Sequence, residues 1–454
     1  MSDLYANQQN ASLANANIDV MRPRGNNLIN LRIKALIFFV AILYVSTTIF
    51  TPKVNLGFFT IYLFEPFILG TVLYLLMTGQ LGFSSNIEKT YLLFLALTVF
   101  TYLEGPLYTG HFDIVPALLI MKYSLFVMMI PVVAYLKESV SERIFIRVIH
   151  SQFIFVLLAG LYVVINMIFN PISLSDMLWG YSPEYRLIGF TGKAIGINGL
   201  MDNGNTSVQM GVYTGFLFLI AVSLHIHLKQ TRYLLWSLVI FFGTLLTYSR
   251  SGLLVIFLGT LYLLIDKAKN KRVILLFFGT IMILIVLEIF FDLSAFLTSF
   301  GSLGKLDISS GIQDSSAQTR LRYLMMAMNY VSEHPAILFF GTGYGESYTY
   351  QLIGTPHLES LIFTTLFQSG IFALLLLTAH FYYVWKYANK YSRGHDGNVY
   401  RAVLYASKIY IPGLLVANLV GGNSLQTDFM APFFYFIFGV GIYRCKSKFS
   451  PGVT

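Results

Sequence analysis

The 454-residue chain is 56% apolar, only 11% charged, and carries a net charge of +9, with a mean hydropathy of +0.68. A soluble domain needs a charged exterior around one core, so this composition describes instead a chain made mostly of membrane spans. One cysteine, Cys445, excludes a disulfide within the chain. The basic residues lie in loops between apolar runs, which is a topology signal with some affinity for anionic lipid heads and gives no reason to invoke nucleic acid.

Residues 1–34 are polar and Asn-rich, and read as a flexible cytoplasmic tail rather than a cleavable signal. Apolar runs long enough, at ~1.5 Å per residue, to cross a ~30 Å hydrocarbon core follow near 35–51, 58–78, 90–106, 113–136, 144–169, 207–228, 232–248, 251–266, 273–292, 357–385, 402–420 and 426–443. The expected fold is all-α, a polytopic membrane protein of about twelve helices. Residues 35–443 form one membrane domain with outer loops at 170–206 and 293–356, and 444–454 form a second cytoplasmic tail.

With the N-terminus inside, 21 of the 30 Lys and Arg residues fall in cytoplasmic stretches, so the positive-inside bias sets the orientation. Both hydrophilic loops and the turn TYSRSG at 247–252 then face outward. Arg250 in that turn is either an interfacial arginine that snorkels to the headgroups or part of a site.

Residues 185–211 are rich in Gly and Asn and carry Arg186, Lys193 and Asp202. From Ser315 and Gln318, a capping-box pattern, an amphipathic helix is expected near 316–333, with Leu321, Leu324, Met325, Met328 and Val331 as its apolar stripe. On a helical wheel Arg320 sits at the edge of that stripe and Arg322 about 160° away, so at most one serves a small site. After His334-Pro335 and a Gly- and Tyr-rich loop, Thr355 and Pro356 suggest a helix start beside His357. His357, Ser360, Thr364 and Gln368 then form a polar line entering the membrane. The positive dipole end favours a neutral imidazole, hence a base, and a capping histidine is the plain alternative.

Among charged residues within spans, Lys122 either helps hold a phosphate or pairs with Glu65 as a link between helices, while Glu288 and Lys408 lie near span ends and can snorkel. The outer-loop tyrosines suit a membrane-interface belt, and sugar stacking is the other use for such rings. No Asp-x-Asp pair, Walker loop, zinc cluster or G-x-S-x-G is present, so neither a metal-held nucleotide sugar nor a cofactor is expected.

The S-R-S-G of Ser249 to Gly252, the R-x-x-G-F of Arg186 to Phe190 and the block from Arg320 to Gly370 occur in order. That block includes His334-Pro335 with Gly341 and Gly343, and the histidine before a span. Together these features resemble the O-antigen polymerase and O-antigen ligase superfamily, integral membrane glycosyltransferases of bacterial surface-polysaccharide assembly. One departure is Leu358, where the family commonly has asparagine after the histidine. The resemblance implies transfer of a glycan from undecaprenyl diphosphate at the periplasmic face of the inner membrane, without a metal. It makes His357 the base and Arg250 and Arg320 the diphosphate clamps, with Arg186, Lys122, Ser249, Ser360 and Glu65 as substrate-binding candidates. A lipid-linked oligosaccharide serves as donor and acceptor, and a chain-length regulator and a flippase are the implied partners. A polymerase is favoured on the departure at Leu358, with a ligase acting on a lipid A core as the alternative. A flippase or other transporter is a third reading, for which mid-membrane ionisable groups on broken helices and an inverted repeat are expected.

Overall fold

The structure, a computed structural model, describes residues 24–47, 53–55, 60–62, 64–83, 85–169, 194–196, 206–247, 249–266, 315–355, 358, 360–393, 398–420 and 430–448. In chain order the elements are α1 (Arg24–Thr47), β1 (Lys53–Asn55), β2 (Thr60–Tyr62), α2 (Glu65–Met77), α3 (Asn86–Thr109), α4 (Val115–Leu136) and α5 (Glu142–Phe169). Then follow β3 (Ala194–Gly196), α6 (Thr206–Leu228), α7 (Thr231–Leu246), α8 (Arg250–Asp266), α9 (Ser315–Glu333), α10 (Ile337–Phe340), α11 (Glu346–Ile353), α12 (Leu361–Ser392), α13 (Val399–Val420) and α14 (Met430–Lys448). Among the described residues six helices are long and apolar enough to cross a membrane: α3, α4, α5, α6, α12 and α13. The chain is a multi-pass helical membrane protein. The apolar run at 273–292, and Glu288 within it, lie outside the described residues.

Several boundaries differ from expectation. Residues 24–34, read as tail, already belong to α1. The run 58–78 divides into a strand and the 13-residue α2, whose ~20 Å rise falls short of a ~30 Å core. Pro66 next to the helix start explains where α2 begins, because its missing amide costs nothing there. α7 and α8 are apolar but also short.

The strands make a small sheet, an exception to the all-helical expectation. β1 pairs antiparallel with β2 (Lys53 opposite Tyr62) and parallel with β3 (Lys53 opposite Ala194). Backbone pairing across 4.7–4.9 Å therefore ties the connection after α1 to the loop after α5. Those two segments share one side, as the Lys and Arg distribution requires of both.

In the interior, α6, α13 and α14 are buried on nearly all faces, and ring pairs such as Phe216–Tyr410 at 4.5 Å hold them together. His380 of α12 joins three helices, its Nδ1 lying 3.0 Å from Ile87 O of α3 and its Nε2 2.8 Å from the Tyr435 hydroxyl of α14. Lys408, expected to snorkel, is instead tied to the C-terminal residue of α8. Its Nζ lies 2.8 Å from Asp266 Oδ1, and Tyr405 donates to the other carboxylate oxygen at 2.7 Å.

Small residues set the closest helix contact. Gly211 and Gly215 of α6 form a G-x-x-x-G step, and Gly252 of α8 lies against it. A Cβ at Gly252 would overlap the Gly211 backbone, and one at Gly215 would press on the Gly252 carbonyl. Without a hydrophobic drive between helices in lipid, such close backbone approach is what association relies on.

A second constraint lies in α12, which is broken at Gly370 (φ 76°, ψ −179°). The 32 residues of α12 exceed what one span needs, and residues 371–392 alone reach ~33 Å. Residues 361–369 thus form a short helical segment before the break and residues 371–392 a long one after it. The break leaves C-terminal carbonyls of that short helix without intrahelical donors. The loop 341–345 supplies them: Thr342 N donates to Phe367 O at 2.9 Å and Gly343 N to Gln368 O at 3.1 Å.

Replacing Gly252 with Val should lower the folded fraction of the membrane-inserted protein by more than the ~1–3 kcal/mol usual for overpacking, because its neighbour is backbone. Gly70→Ala, at a position with open space around it, should be neutral in the same thermal-melt comparison.

Candidate active site

The TYSRSG turn is a helix start. Ser249 Oγ accepts from Gly252 N at 3.2 Å and Ser249 N donates to Thr247 Oγ1 at 3.2 Å, so Ser249 is the N-cap and Arg250 the first helical residue. Both Ser249 and Ser251 are buried, and Gly252 is fixed by Gly211. A cation at a helix N-terminus opposes the macrodipole by about 0.3–1 kcal/mol, whereas an anion there is favoured. Arginine at this position therefore makes electrostatic sense when its ligand is anionic. The Arg250 side chain lies outside the described residues.

α13 runs antiparallel to α8. Lys408 sits at the C-terminal residue of α8, and a Cβ on Gly413 would meet Val255 Cα at 3.2 Å. Asn418, further along α13 by ~7.5 Å, is therefore level with the start of α8. Its carbonyl accepts from Ser360 Oγ at 3.1 Å. Ser360 is the N-cap of α12, its side chain accepting from Phe363 N. The structure thus brings two candidates, Ser249 and Ser360, to one end of the bundle as caps of two helix N-termini beside the C-terminal end of α13.

The helix start expected at Pro356 is displaced to Leu361, because Ser360 provides the cap. The expected polar line belongs to the short segment before the break at Gly370. Gln368 is buried there, donating to Thr349 Oγ1 at 2.8 Å and Gly345 O at 3.3 Å. His357 lies outside the described residues, but its neighbour Leu358 is buried in a small apolar cluster with Ala327, Ile353 and Phe367. This is a physical role for leucine at the position where the resembling family has asparagine: it anchors the chain next to His357 onto α9.

α9 is helical as expected, but it is rolled relative to expectation. The face packed on α11 and the first part of α12 holds Tyr323, Met326, Ala327, Tyr330 and, from the expected stripe, Val331, while Leu321, Met325 and Met328 of that stripe are 43%, 52% and 57% exposed. Aromatic rings outcompeted the aliphatic stripe, since Tyr330 lies 6.1 Å from Phe367 and 4.8 Å from His334. At ~100° per residue, position 320 falls between Ala327 and Val331 on the packed face and position 322 about 40° beyond Met326, outside it, so the wheel still separates the two arginines. The Arg320 side chain lies outside the described residues, and that of Arg322 is exposed.

The wall behind α9 is built from α3 and the loop 341–345. Gly343 (φ 107°) sits against Gly105 so tightly that a Cβ would overlap it. Tyr102 donates to Asp113 O at 2.8 Å, and Ser347 to Asp113 Oδ2 at 2.7 Å. Burial, and then the nearby Glu346 carboxylate, pushes the Tyr344 phenol up. Burial, with Tyr108 and Glu333 nearby, does the same to Tyr330. These phenols stay neutral at ordinary pH and do not act as bases. Two residues of this end escaped the sequence reading. Asn418 is inside an apolar run, and Glu104 has an Oε2 that is buried with no hydrogen-bond partner among the described residues. An acid directly before Gly105 near a span end was the available signal for Glu104.

Lys122 and Glu65 are brought together. Lys122 Nζ lies 3.4 Å from Glu65 Oε1, with side chains 3% and 5% exposed, and Glu65, first residue of α2, also has the favourable end of that helix dipole. Each charge serves the other, as the helix-linking reading has it. Arg186 lies outside the described residues.

Residues 235–378 match the model of the O-antigen ligase family. The resemblance to the O-antigen polymerase and ligase superfamily holds. The matched segment runs from α7 through the broken part of α12, so it contains the helix start at Ser249, the whole of α9 and the loop that caps the break. Members of the family are glycosyltransferase-like membrane enzymes. No curated protein matches the chain.

Removing one member of the buried pair, by Glu65→Gln or Lys122→Met, should destabilise the protein by about 3–5 kcal/mol, and the double replacement should recover most of it. Thermal melts in lipid nanodiscs check this. Chain growth that persists in the double variant would leave the pair without a substrate role.

Proposed function

We propose that this protein is a polysaccharide polymerase of the O-antigen or capsule type, working at the periplasmic face of a bacterial inner membrane. A sugar hydroxyl of a lipid-linked repeat unit attacks the anomeric carbon of a glycan carried on undecaprenyl diphosphate. The bond from that carbon to the diphosphate oxygen breaks, and the lipid diphosphate leaves with the electron pair. Charge grows on the departing diphosphate, so catalysis needs cations fixed where it develops. Arginine suits this because its planar fork bonds two phosphate oxygens and stays ionised. Arg250 and Arg320 are assigned that role, with Arg186 as a further contact, and His357 takes the proton of the attacking hydroxyl.

The observation that carries this reading is the shared end of α8, α12 and α13. There the helix start bearing Arg250 and the cap Ser360, three residues after His357, lie beside the same C-terminal turn of α13. Leu358, packed on the helix that bears Arg320, supports bringing the third group to the same end. No metal or cofactor enters the mechanism, and a chain-length regulator and a flippase remain its proposed partners.

The ligase reading is favoured by the family match itself, whose description is that of a ligase. A transporter reading gains a broken helix at Gly370, but the carbonyls exposed by the break are bonded by Thr342 and Gly343 and do not line an ion path.

Deleting the gene should leave lipopolysaccharide or capsule precursor carrying a single repeat unit on a gel. A bare core with long lipid-linked glycan would indicate the ligase instead. In a complemented strain, Arg250→Ala, Arg320→Ala and His357→Ala should each abolish chain growth while the protein remains inserted and abundant. Normal ladders with Arg250→Ala would remove that residue from the site. A null Arg322→Ala beside an active Arg320→Ala would exchange the roles of the two arginines.

A further inference from the structure

The opposite end of the bundle, which the Lys and Arg count assigns to the cytoplasm, holds a cavity. On the last turns of α12, Tyr383, Lys386, Tyr387 and Lys390 recur at i, i+3, i+4 and i+7, so they form one stripe. Tyr443 and Lys446 of α14 face that stripe, and the first residues of α3 form a third side of an open pocket of about 330 Å³. That is within the ~300–1,000 Å³ range of small-molecule pockets, room for a phosphoglycerol group.

Three lysines and the side chains of Tyr383 and Tyr387 thus line one pocket from two helices, with the positive dipole end of α3 beside them. Lys386, Lys390 and Lys446 are exposed, while Tyr383, Tyr387 and Tyr443 are half-buried, an arrangement of amphipathic side chains suited to the headgroup level. Lys386 lies 5.7 Å from the Tyr382 ring centroid and Lys390 5.2 Å from that of Tyr391. None of the three lysines pairs with a carboxylate among the described residues. The carboxylate behind this wall, Glu88, is buried. It accepts from Ser85 N at 2.7 Å and from the Tyr443 hydroxyl at 3.5 Å, so its charge is held within the α3 capping box and does not neutralise the lysines.

We propose that this cavity binds a phosphate-bearing anion, supplied by the headgroup of an anionic phospholipid. A phosphodiester takes charge-assisted hydrogen bonds from the ammonium groups and further ones from the Tyr383 and Tyr387 phenols. The cavity lies among the ends of three membrane helices, where a headgroup already resides. Binding there ties α3, α12 and α14 at the end remote from the glycan site, and it does not depend on the polymerase reading.

The test uses the full chain in nanodiscs of phosphatidylcholine alone, of phosphatidylcholine with phosphatidylglycerol, and of phosphatidylcholine with added inorganic phosphate. Thermal stability and lipid retention by native mass spectrometry are the readouts. Phosphatidylglycerol should raise the melting temperature and be retained preferentially. Each lysine changed to Gln should weaken retention roughly fivefold, and the triple variant Lys386→Gln, Lys390→Gln, Lys446→Gln on the order of a hundredfold. The corresponding triple Lys→Arg variant should restore it, and Lys137→Gln, on an exposed lysine at the same end outside the cavity, should change little. A shift with inorganic phosphate alone would uphold the phosphate site and make soluble phosphate its source. Equal retention by the wild type and the triple Gln variant, or no response in either anion arm, would overturn the proposal.

Discussion

A helix that breaks near a membrane must find donors for the carbonyls it frees, because lipid offers none. The break at Gly370 meets this requirement through the amides of Thr342 and Gly343. Much of the outer architecture follows from that bond pair. Gly341 must be glycine because a Cβ would strike the Gln368 carbonyl, and Gly370 because one would strike Phe339. Gln368 then locks the loop from its side by bonding Gly345 and Thr349. The hydrophilic block from α9 to α11 is thereby held against α12 and α3, and α9 comes to rest on Leu358 and Phe367.

On the other side of the same end, close glycine contact seats α8 on α6. Gly252 carries no side chain because the Gly211 backbone occupies that space, which fixes the helix start at which Arg250 is the first residue. Ser249 and Ser360 are both N-caps, so two positive helix ends open toward one region. Electrostatically that region favours an anion, and a lipid-linked diphosphate is an anion that a polysaccharide-assembling enzyme must release.

The membrane class, the helical fold and the family resemblance were legible in composition and three short motifs. The Lys122–Glu65 pair was legible as an alternative, because two opposite charges inside apolar runs seek each other. The lengths of α2 and the division of α12 were not. Hydropathy registers 58–78 as one run although Thr60–Tyr62 pairs as a strand, and it cannot see a φ of 76° at Gly370. The roll of α9 was misread for a different reason: hydrophobicity ranks leucine above tyrosine, whereas Tyr323 and Tyr330 join the packed face and the Tyr330 ring meets Phe367 edge-on and His334 at a tilt. Asn418 has its meaning only through Ser360, a neighbour distant in sequence.

The most direct measurement is the affinity of the purified protein in nanodiscs for a short-chain polyprenyl diphosphate, compared between wild type and Arg250→Ala. Loss of a guanidinium that meets the diphosphate should weaken binding by about 30-fold or more, with the melting temperature unchanged. Equal affinities in a folded Arg250→Ala protein would contradict a diphosphate site at the start of α8.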